Sequence, residues 1–358
     1  MVSKEIILIT GCSGRIGFRC AERLQEEYQI LGVDVFLVGH LPGVELIGID
    51  LASPKNLEEN LDLIRERFGN KIRSVIHLAA YYSFTKGHWA EYERITINGT
   101  RHLLEKLKEK FEVGQFIFSS TMLVHAPCKK GEKITENSPI EAKWNYPKSK
   151  ILTETLIKQI HGSIPYVILR IAGVYDDMCH SIPLSNQIQR IYENQFEGHV
   201  FAGNIHHGSS FVHMEDLVDA LIQLVKKKDS LPSELILLIG EPATLSYDAL
   251  QRQISQLIWS KEWKTWSIPK PIAKLGAYLL QILPFFKKGF IKPWMIDLAD
   301  DHYELSISKA EKLLDWHPKH SLKETIPKWI KMLKEEPIAW YDINKLKLPK
   351  SLLRDLDK

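Results

Sequence analysis

The run Ile6-Ile7-Leu8-Ile9-Thr10 passes directly into Gly11-Cys12-Ser13-Gly14-Arg15-Ile16-Gly17, and no other stretch limits the fold so tightly. The apolar run predicts a strand. Beyond the glycines, Phe18, Ala21, Leu24 and Tyr28 recur with the spacing of a helix that buries one face. Three glycines therefore sit at a strand-to-helix turn. There glycine supplies positive φ, close approach of the backbone to a pyrophosphate, and tight packing of helix on strand. A second apolar run, Gln29–Val33, ends at Asp34, where a carboxylate can accept from both hydroxyls of a ribose. A glycine loop that was only a turn would leave Asp34 unexplained, so the expectation is a dinucleotide. The charge on Asp34 would repel a 2′-phosphate, which favours NAD over NADP. Arg15 could attract such a phosphate or simply flank the pyrophosphate.

The same alternation continues through Ser74–Leu78, Gln115–Phe118 and Tyr166–Leu169, with amphipathic stretches between. Strands apolar on both faces belong in a parallel sheet covered by helices on both sides. After Tyr175 the pattern loosens to Gly208, turns sheet-like at Ser210–Val212 and Glu234–Gly240, and then runs helical and Trp-rich to about Trp316. The expected fold is α/β: a doubly wound parallel sheet with a smaller, discontinuous C-terminal substrate lobe. Residues 1–175, rejoined by about 209–240, would bind nucleotide; 176–208 and 241–335 would form the lobe. Residues 336–358 read equally as an ordered arm or a frayed tail. No internal repeat or low-complexity tract appears in the sequence.

Composition narrows the class. With 44% hydrophobic and 25% charged residues the chain reads as soluble and folded, and a net charge of only +3, without a basic stripe, argues against nucleic acid as a partner. Cys12, Cys20, Cys128 and Cys179 show no C-x-x-C spacing, and the N-terminal apolar run lacks the features of a secretory leader. A cytoplasmic location with reduced thiols is the expectation.

Tyr146-Pro147-Lys148-Ser149-Lys150 places a phenol and an ammonium four residues apart, on one helix face. A nearby ammonium favours phenolate and is expected to lower the tyrosine pKa, as a general acid/base for an alcohol or ketone requires. Alone, the spacing suits a solvated helix face equally well. Its context is a strand ending Phe118-Ser119-Ser120-Thr121.

The Gly-x-x-Gly-x-x-Gly loop, Asp50-Leu51, His77-Leu78-Ala79-Ala80, Asn98-Gly99-Thr100 and the Tyr-x-x-x-Lys together resemble the extended short-chain dehydrogenases, the NAD-dependent epimerase/dehydratase superfamily, over most of the chain. The resemblance implies a Rossmann-type sheet and a catalytic set of Thr121, Tyr146 and Lys150. Thr121 would hydrogen-bond the reacting oxygen, Tyr146 exchange its proton, and Lys150 hold the nicotinamide ribose. It also implies cofactor contacts from Gly11, Ser13, Gly14, Arg15, Ile16, Gly17, Asp34, Asp50, Leu51, Ala79, Ala80, Asn98 and Ser119, besides Tyr146 and Lys150. Asp50 and Leu51 would flank the adenine.

The sequence departs from the family pattern at three places. Met122-Leu123 follows Thr121 where dehydratases carry an acidic pair, so dehydration is disfavoured. Gly208-Ser209-Ser210-Phe211 stands where many nucleotide-sugar members carry an Arg that grips a phosphate. His125-Ala126 replaces a frequent Tyr-Gly, with no consequence legible in sequence.

Three readings stay open: hydride transfer at a secondary alcohol or ketone of a sugar or nucleotide sugar, as epimerase or dehydrogenase; a 3-beta-hydroxysteroid-dehydrogenase-like enzyme for an apolar alcohol; and a non-catalytic NAD-binding scaffold. The apolar stretch Pro271–Phe286, too short to span a bilayer, supports the second and allows a membrane-surface contact. His206, His207 and His213 lack the spacing of a metal site. Trp259, Trp263 and Trp266 are expected in packing rather than in a sugar platform. A homodimer is the expected assembly, by resemblance alone.

Overall fold

A computed structural model of the chain describes residues 4–39, 41–83, 87–282, 291–350 and 352–353. Seven strands form one sheet: β1 (Ile6–Thr10), β2 (Gln29–Asp34), β3 (Val44–Gly48), β4 (Ser74–His77), β5 (Phe116–Thr121), β6 (Tyr166–Ile171) and β7 (Glu234–Ile239). Their order across the sheet is β7-β6-β5-β4-β1-β2-β3, with every adjacent pair parallel. The chain grows outward from β1 to β3, then crosses back to β4 on the other side of β1. At the C-terminal ends of β1 and β4 the connections diverge, and a crevice opens there.

Along the chain follow α1 (Arg15–Leu24), α2 (Pro54–Phe68), α3 (Gly99–Lys110), α4 (Asn145–Ile160), α5 (Ile182–Tyr192), α6 (Met214–Lys226), α7 (Tyr247–Trp259), α8 (Lys270–Ile282), α9 (Pro293–Asp297), α10 (Ser308–Leu314), α11 (Leu322–Glu335) and α12 (Pro337–Ile343). A π-helix, Tyr92–Asn98, leads into α3.

Period-two alternation divides each strand between two cores. Ile7 and Ile9 pack with residues of α1, α6 and α10 on one face, and Ile6 and Leu8 with those of α2, α3 and α4 on the other. A third core joins α5, α7, α11 and α12 around the buried indoles of Trp329 and Trp340. Ser321 caps the start of α11: its hydroxyl accepts from the Glu324 amide and donates to the Glu324 carboxylate.

Several expectations are corrected. α1 ends at Leu24, and Tyr28 packs on the core from beyond the turn at Gln25–Glu27. β3 is an edge strand of half-buried residues, too weakly apolar to announce itself. Trp263 is buried, but Trp259 is 44% and Trp266 58% exposed, so only one of the three belongs to a core. The C-terminal stretch is an ordered arm as far as α12, which buries Trp340 and Tyr341; residues 354–358 lie outside the described ones. α8 accounts for most of the apolar stretch, while residues 283–286 of it are not described. Among the described residues no helix is long and apolar enough to cross a membrane.

Candidate active site

The glycine loop closes the C-terminal end of β1, and its three glycines serve different ends. Gly11 has φ +71°, and a Cβ there would stand 2.9 Å from the Ala79 amide nitrogen, so the loops after β1 and β4 meet through it. Gly17 lies against the Gly11 carbonyl, where a Cβ would collide. Gly14, the N-cap of α1, is extended at φ −74° and needs no positive φ. A Cβ on it would meet only the Gly11 carbonyl oxygen, at 3.2 Å, and would otherwise project into open space. No side chain caps α1, so the helix end at Arg15, Ile16 and Gly17 presents amides and a partial positive charge. This cradle fits a pyrophosphate.

Asp34 ends β2. Its carboxylate accepts from the Ser13 amide at 3.0 Å and the Val35 amide at 2.8 Å, while the Ser13 hydroxyl accepts from Val38. Beyond it Val35, Phe36, Leu37 and Val38 are all exposed, and none is a cation that could receive a 2′-phosphate. Arg15 donates to the His180 carbonyl and lies 3.6 Å from Asp176, so its charge is shared across the loop. Asp50 accepts from the Ala52 amide, and buried Leu51 packs closely on α3 at Gly99, where a Cβ would stand 3.2 Å from the Leu51 Cβ. Asn98 closes the π-helix immediately before it.

Below the crevice the buried imidazole of His77 orders the loop that carries Ala79 and Ala80. The Thr100 hydroxyl donates to the Thr96 carbonyl and so accepts from His77 Nε2; the Thr10 hydroxyl accepts from the Ala79 amide and so donates to Nδ1. The ring is therefore neutral with its proton on Nε2. Burial, with Lys150 nearby, pushes its pKa down to about 3.

Thr121 ends β5, and Tyr146 and Lys150 stand on the first turns of α4. The Lys150 ammonium donates to the Ser119 carbonyl at 2.6 Å and lies 4.7 Å over the Phe118 ring, so the helix is tied to the end of β5. Its Nζ is 6.0 Å from the centre of the Tyr146 ring. Burial lowers the Lys150 pKa to about 7, against an upward pull from Glu154. The expected lowering of the Tyr146 pKa is not what the geometry gives. Burial pushes the phenol up, and the Tyr82 ring, edge-on at 5.2 Å, adds to this; Thr121 opposes it. The reason is that Lys150 points at a carbonyl and is itself buried, which leaves little fixed positive charge to stabilise a phenolate.

Sequence reasoning missed what lies under this triad. Glu154, one helical turn past Lys150, accepts from the Ser120 hydroxyl at 2.5 Å and from both Nε and Nη2 of Arg170. Arg170 Nη1 donates to His125 Nε2 at 3.0 Å and to the Glu136 carbonyl. Because arginine only donates, His125 accepts at Nε2, carries its proton on Nδ1 and donates it to the Ser138 carbonyl. The His-for-Tyr change thus has a consequence: it supplies an acceptor for Arg170.

Met122–Val124 forms a 3₁₀ turn directly after Thr121 and brings no carboxylate there. At Ser209 and Ser210 no guanidinium exists; the Ser210 hydroxyl is buried against Gly240. The three histidines part company: His207 Nδ1 meets the Asp300 carbonyl, His213 stacks on His320 at 4.1 Å, and the amide of His206 donates to Asn204.

Residues 7–240 match the profile of the NAD dependent epimerase/dehydratase family. The chain belongs to that family. Among curated relatives of this family member, UDP-glucose 4-epimerase of Bacillus subtilis is 28% identical over 163 residues, 43% of this chain and about half of the relative, at 48%. UDP-glucuronate 4-epimerase of Thermodesulfobacterium geofontis is 25% identical over 92% of this chain and 96% of its own length. Among solved structures, UDP-glucuronic acid 4-epimerase of Bacillus cereus, in complex with UDP-glucuronic acid and NAD, superposes with a TM-score of 0.68 at 20% identity, covering 92% of this chain and 99% of that one. The shared fold is the Rossmann-type sheet described above.

Proposed function

We propose that this family member transfers hydride at a secondary alcohol or ketone carbon of a nucleotide sugar, as an epimerase or dehydrogenase rather than a dehydratase. Residues 1–175 and about 209–240 would carry the cofactor, and 176–208 with 241–335 the sugar. The observation that carries this reading is the convergence of Thr121, Tyr146 and Lys150 at the C-terminal end of β5, beside a glycine cradle that fits a pyrophosphate. The named relatives support the nucleotide-sugar substrate, and the apolar Met122-Leu123 turn speaks against elimination of water.

Bound NAD would supply a hydride acceptor when oxidised and a hydride donor when reduced. Gly14, the amides at the start of α1 and Asp34 would hold its pyrophosphate and adenosine ribose. Thr121 would hydrogen-bond the substrate oxygen and fix it against the Tyr146 hydroxyl. Tyr146 holds its proton in the buried site and gives it up, or takes one, as charge develops on that oxygen. Lys150, anchored on the Ser119 carbonyl, would reach the nicotinamide ribose and supply the nearest ammonium.

A second reading, an apolar alcohol as substrate, is favoured by one observation: serines occupy the place of a phosphate-gripping arginine. Turnover of sterol-like alcohols with NAD, and none of UDP-sugars, would select it. For either substrate, the deciding experiment denatures freshly purified protein and assays the supernatant for NAD and NADH. Stoichiometric, non-exchanging cofactor supports an epimerase that returns hydride to its substrate. Reversible NAD binding by an empty protein supports a dehydrogenase, and failure to bind NAD overturns the proposal.

A further inference from the structure

The loop after β4 holds one large aromatic side chain at the crevice, and it does so by fixing that residue's neighbours. The Tyr81 amide donates to the Thr96 hydroxyl at 3.0 Å, and the Tyr81 ring meets the buried Tyr92 ring edge-on at 4.8 Å. The Tyr92 hydroxyl donates to the Ser83 carbonyl at 3.2 Å. Thr96 and Tyr92 stand on the π-helix, a rare element that occurs mostly in short pieces and frequently at functional sites. Between these anchors Tyr82 is 56% exposed, and its ring stands at 84° to that of Tyr146, with centroids 5.2 Å apart. A lone exposed aromatic needs no explanation by itself. This one borders the acid/base group of the site.

Chemistry and geometry both give that ring a use. A tyrosine is uncharged at neutral pH, and the 3₁₀ turn after Thr121 adds Met122 and Leu123 without a charge. An uncharged aromatic wall suits the C–H face of a pyranose, which lies flat on a ring and leaves its hydroxyls free for a few directed hydrogen bonds. Thr121 and Tyr146 would fix only the reacting oxygen, and the rest of the substrate could swing about it. A flat wall perpendicular to the Tyr146 ring removes that freedom, so the oxygen meets the phenol in one orientation.

We infer that Tyr82 positions the substrate: its ring stacks on the C–H face of the sugar whose secondary alcohol or ketone is presented to Thr121 and Tyr146. This inference rests on the nucleotide-sugar reading above and adds to it the residue that orients the sugar.

The test compares Tyr82→Ala and Tyr82→Phe with the parent in steady-state turnover of UDP-glucose and UDP-glucuronic acid, and in isothermal titration with NAD. Tyr82→Ala should raise KM by roughly two- to tenfold through loss of the stacked contact, and lower kcat by up to about 10²-fold through loss of orientation. Tyr82→Phe keeps the ring and should recover most of both losses. The ring is more than half exposed, so thermal unfolding of both variants should match the parent. NAD affinity should hold as well, because Gly14 and Asp34 are untouched. If Tyr82→Phe is as impaired as Tyr82→Ala, the hydroxyl acts rather than the ring, and the inference is overturned. It is overturned too if Tyr82→Ala matches the parent, or if Tyr82→Ala loses NAD affinity while KM holds, since the ring then lies against the cofactor. Each of these results in an active parent leaves the reading of function intact. A parent that turns over neither UDP-sugar overturns that reading, and this inference with it.

Discussion

Arg170 and Glu154 form an ion pair at 2.7 Å, with side chains only 4% and 5% exposed, directly beneath the Tyr146–Lys150 helix face. Burying two charges is costly unless each is fully hydrogen-bonded, and here Ser120, His125 and the Glu136 carbonyl complete the set. Removing one partner strands the other. Arg170→Leu should therefore destabilise the fold by about 3–5 kcal/mol in denaturant unfolding. The double variant Glu154→Leu/Arg170→Leu should recover only part of that loss, because no charge is left buried but Ser120, His125 and the Glu136 carbonyl lose these partners. Equal stability of Arg170→Leu and the parent would refute this account of the cluster.

Lys150 gives a prediction for rate. Its pKa of about 7 means the ammonium required next to the phenol and ribose is lost as pH rises through that value. A profile of kcat/KM reports groups of the free enzyme and should show a descending limb near pH 7. Glu154 draws the Lys150 pKa upward, so Glu154→Gln should move that limb to lower pH. Tyr146→Phe should lower turnover by roughly 10²–10⁴ while NAD is retained. Unchanged turnover in Tyr146→Phe would instead assign the protein to the scaffold reading.

How far the sequence disclosed this arrangement depended on the range of each interaction. β1, β2, β4, β5 and β6 were legible because they are buried on both faces, so the whole run is apolar. The glycine loop and the Tyr-x-x-x-Lys were legible because their chemistry lies within a few residues. Glu154, Arg170 and His125 were not: they lie on α4, β6 and the loop after β5, and only the parallel pairing of β5 with β6 joins them. The rise in the Tyr146 pKa was hidden for the same reason. Spacing shows that Lys150 shares a face with Tyr146, but not that its amine is committed to the Ser119 carbonyl.

The cradle at the start of α1 separates folding from binding. A Cβ at Gly14 meets a single atom of the loop, so Gly14→Val should fold with near-parent thermal stability yet lose NAD, its side chain occupying the pyrophosphate's space. Asp34 differs, because its carboxylate also holds the Ser13 and Val35 amides. Asp34→Ala should both weaken NAD and loosen the loop, and should narrow the preference against NADP. Isothermal titration with both dinucleotides measures each effect, and undiminished NAD affinity in the two variants would rule out this site.

Two buried neutral histidines contribute to the response of stability to acid. His77 and His125 have pKa values lowered to about 3 and about 4, by burial and by Lys150 and Arg170 respectively, against 6.5 in the unfolded chain. Below pH 6.5 the unfolded chain binds protons that the folded protein refuses, so stability falls as pH drops from 6.5 toward 4 and is unaffected by these groups above 6.5. Each should subtract roughly 1 kcal/mol one pH unit below 6.5. Lys150 and Glu241, with pKa values of about 7, also titrate between pH 7.5 and 5.5, so urea unfolding of the parent and of His125→Gln at both pH values isolates the histidine share by difference. His125→Gln offers the Ser138 carbonyl a donor and Arg170 an acceptor without a titrating group. It should therefore reduce the acid-induced loss between these two pH values by roughly 1 kcal/mol, whatever it does to stability at pH 7.5. An unchanged loss in that variant would mean that carboxylates rather than these imidazoles govern the acid limb.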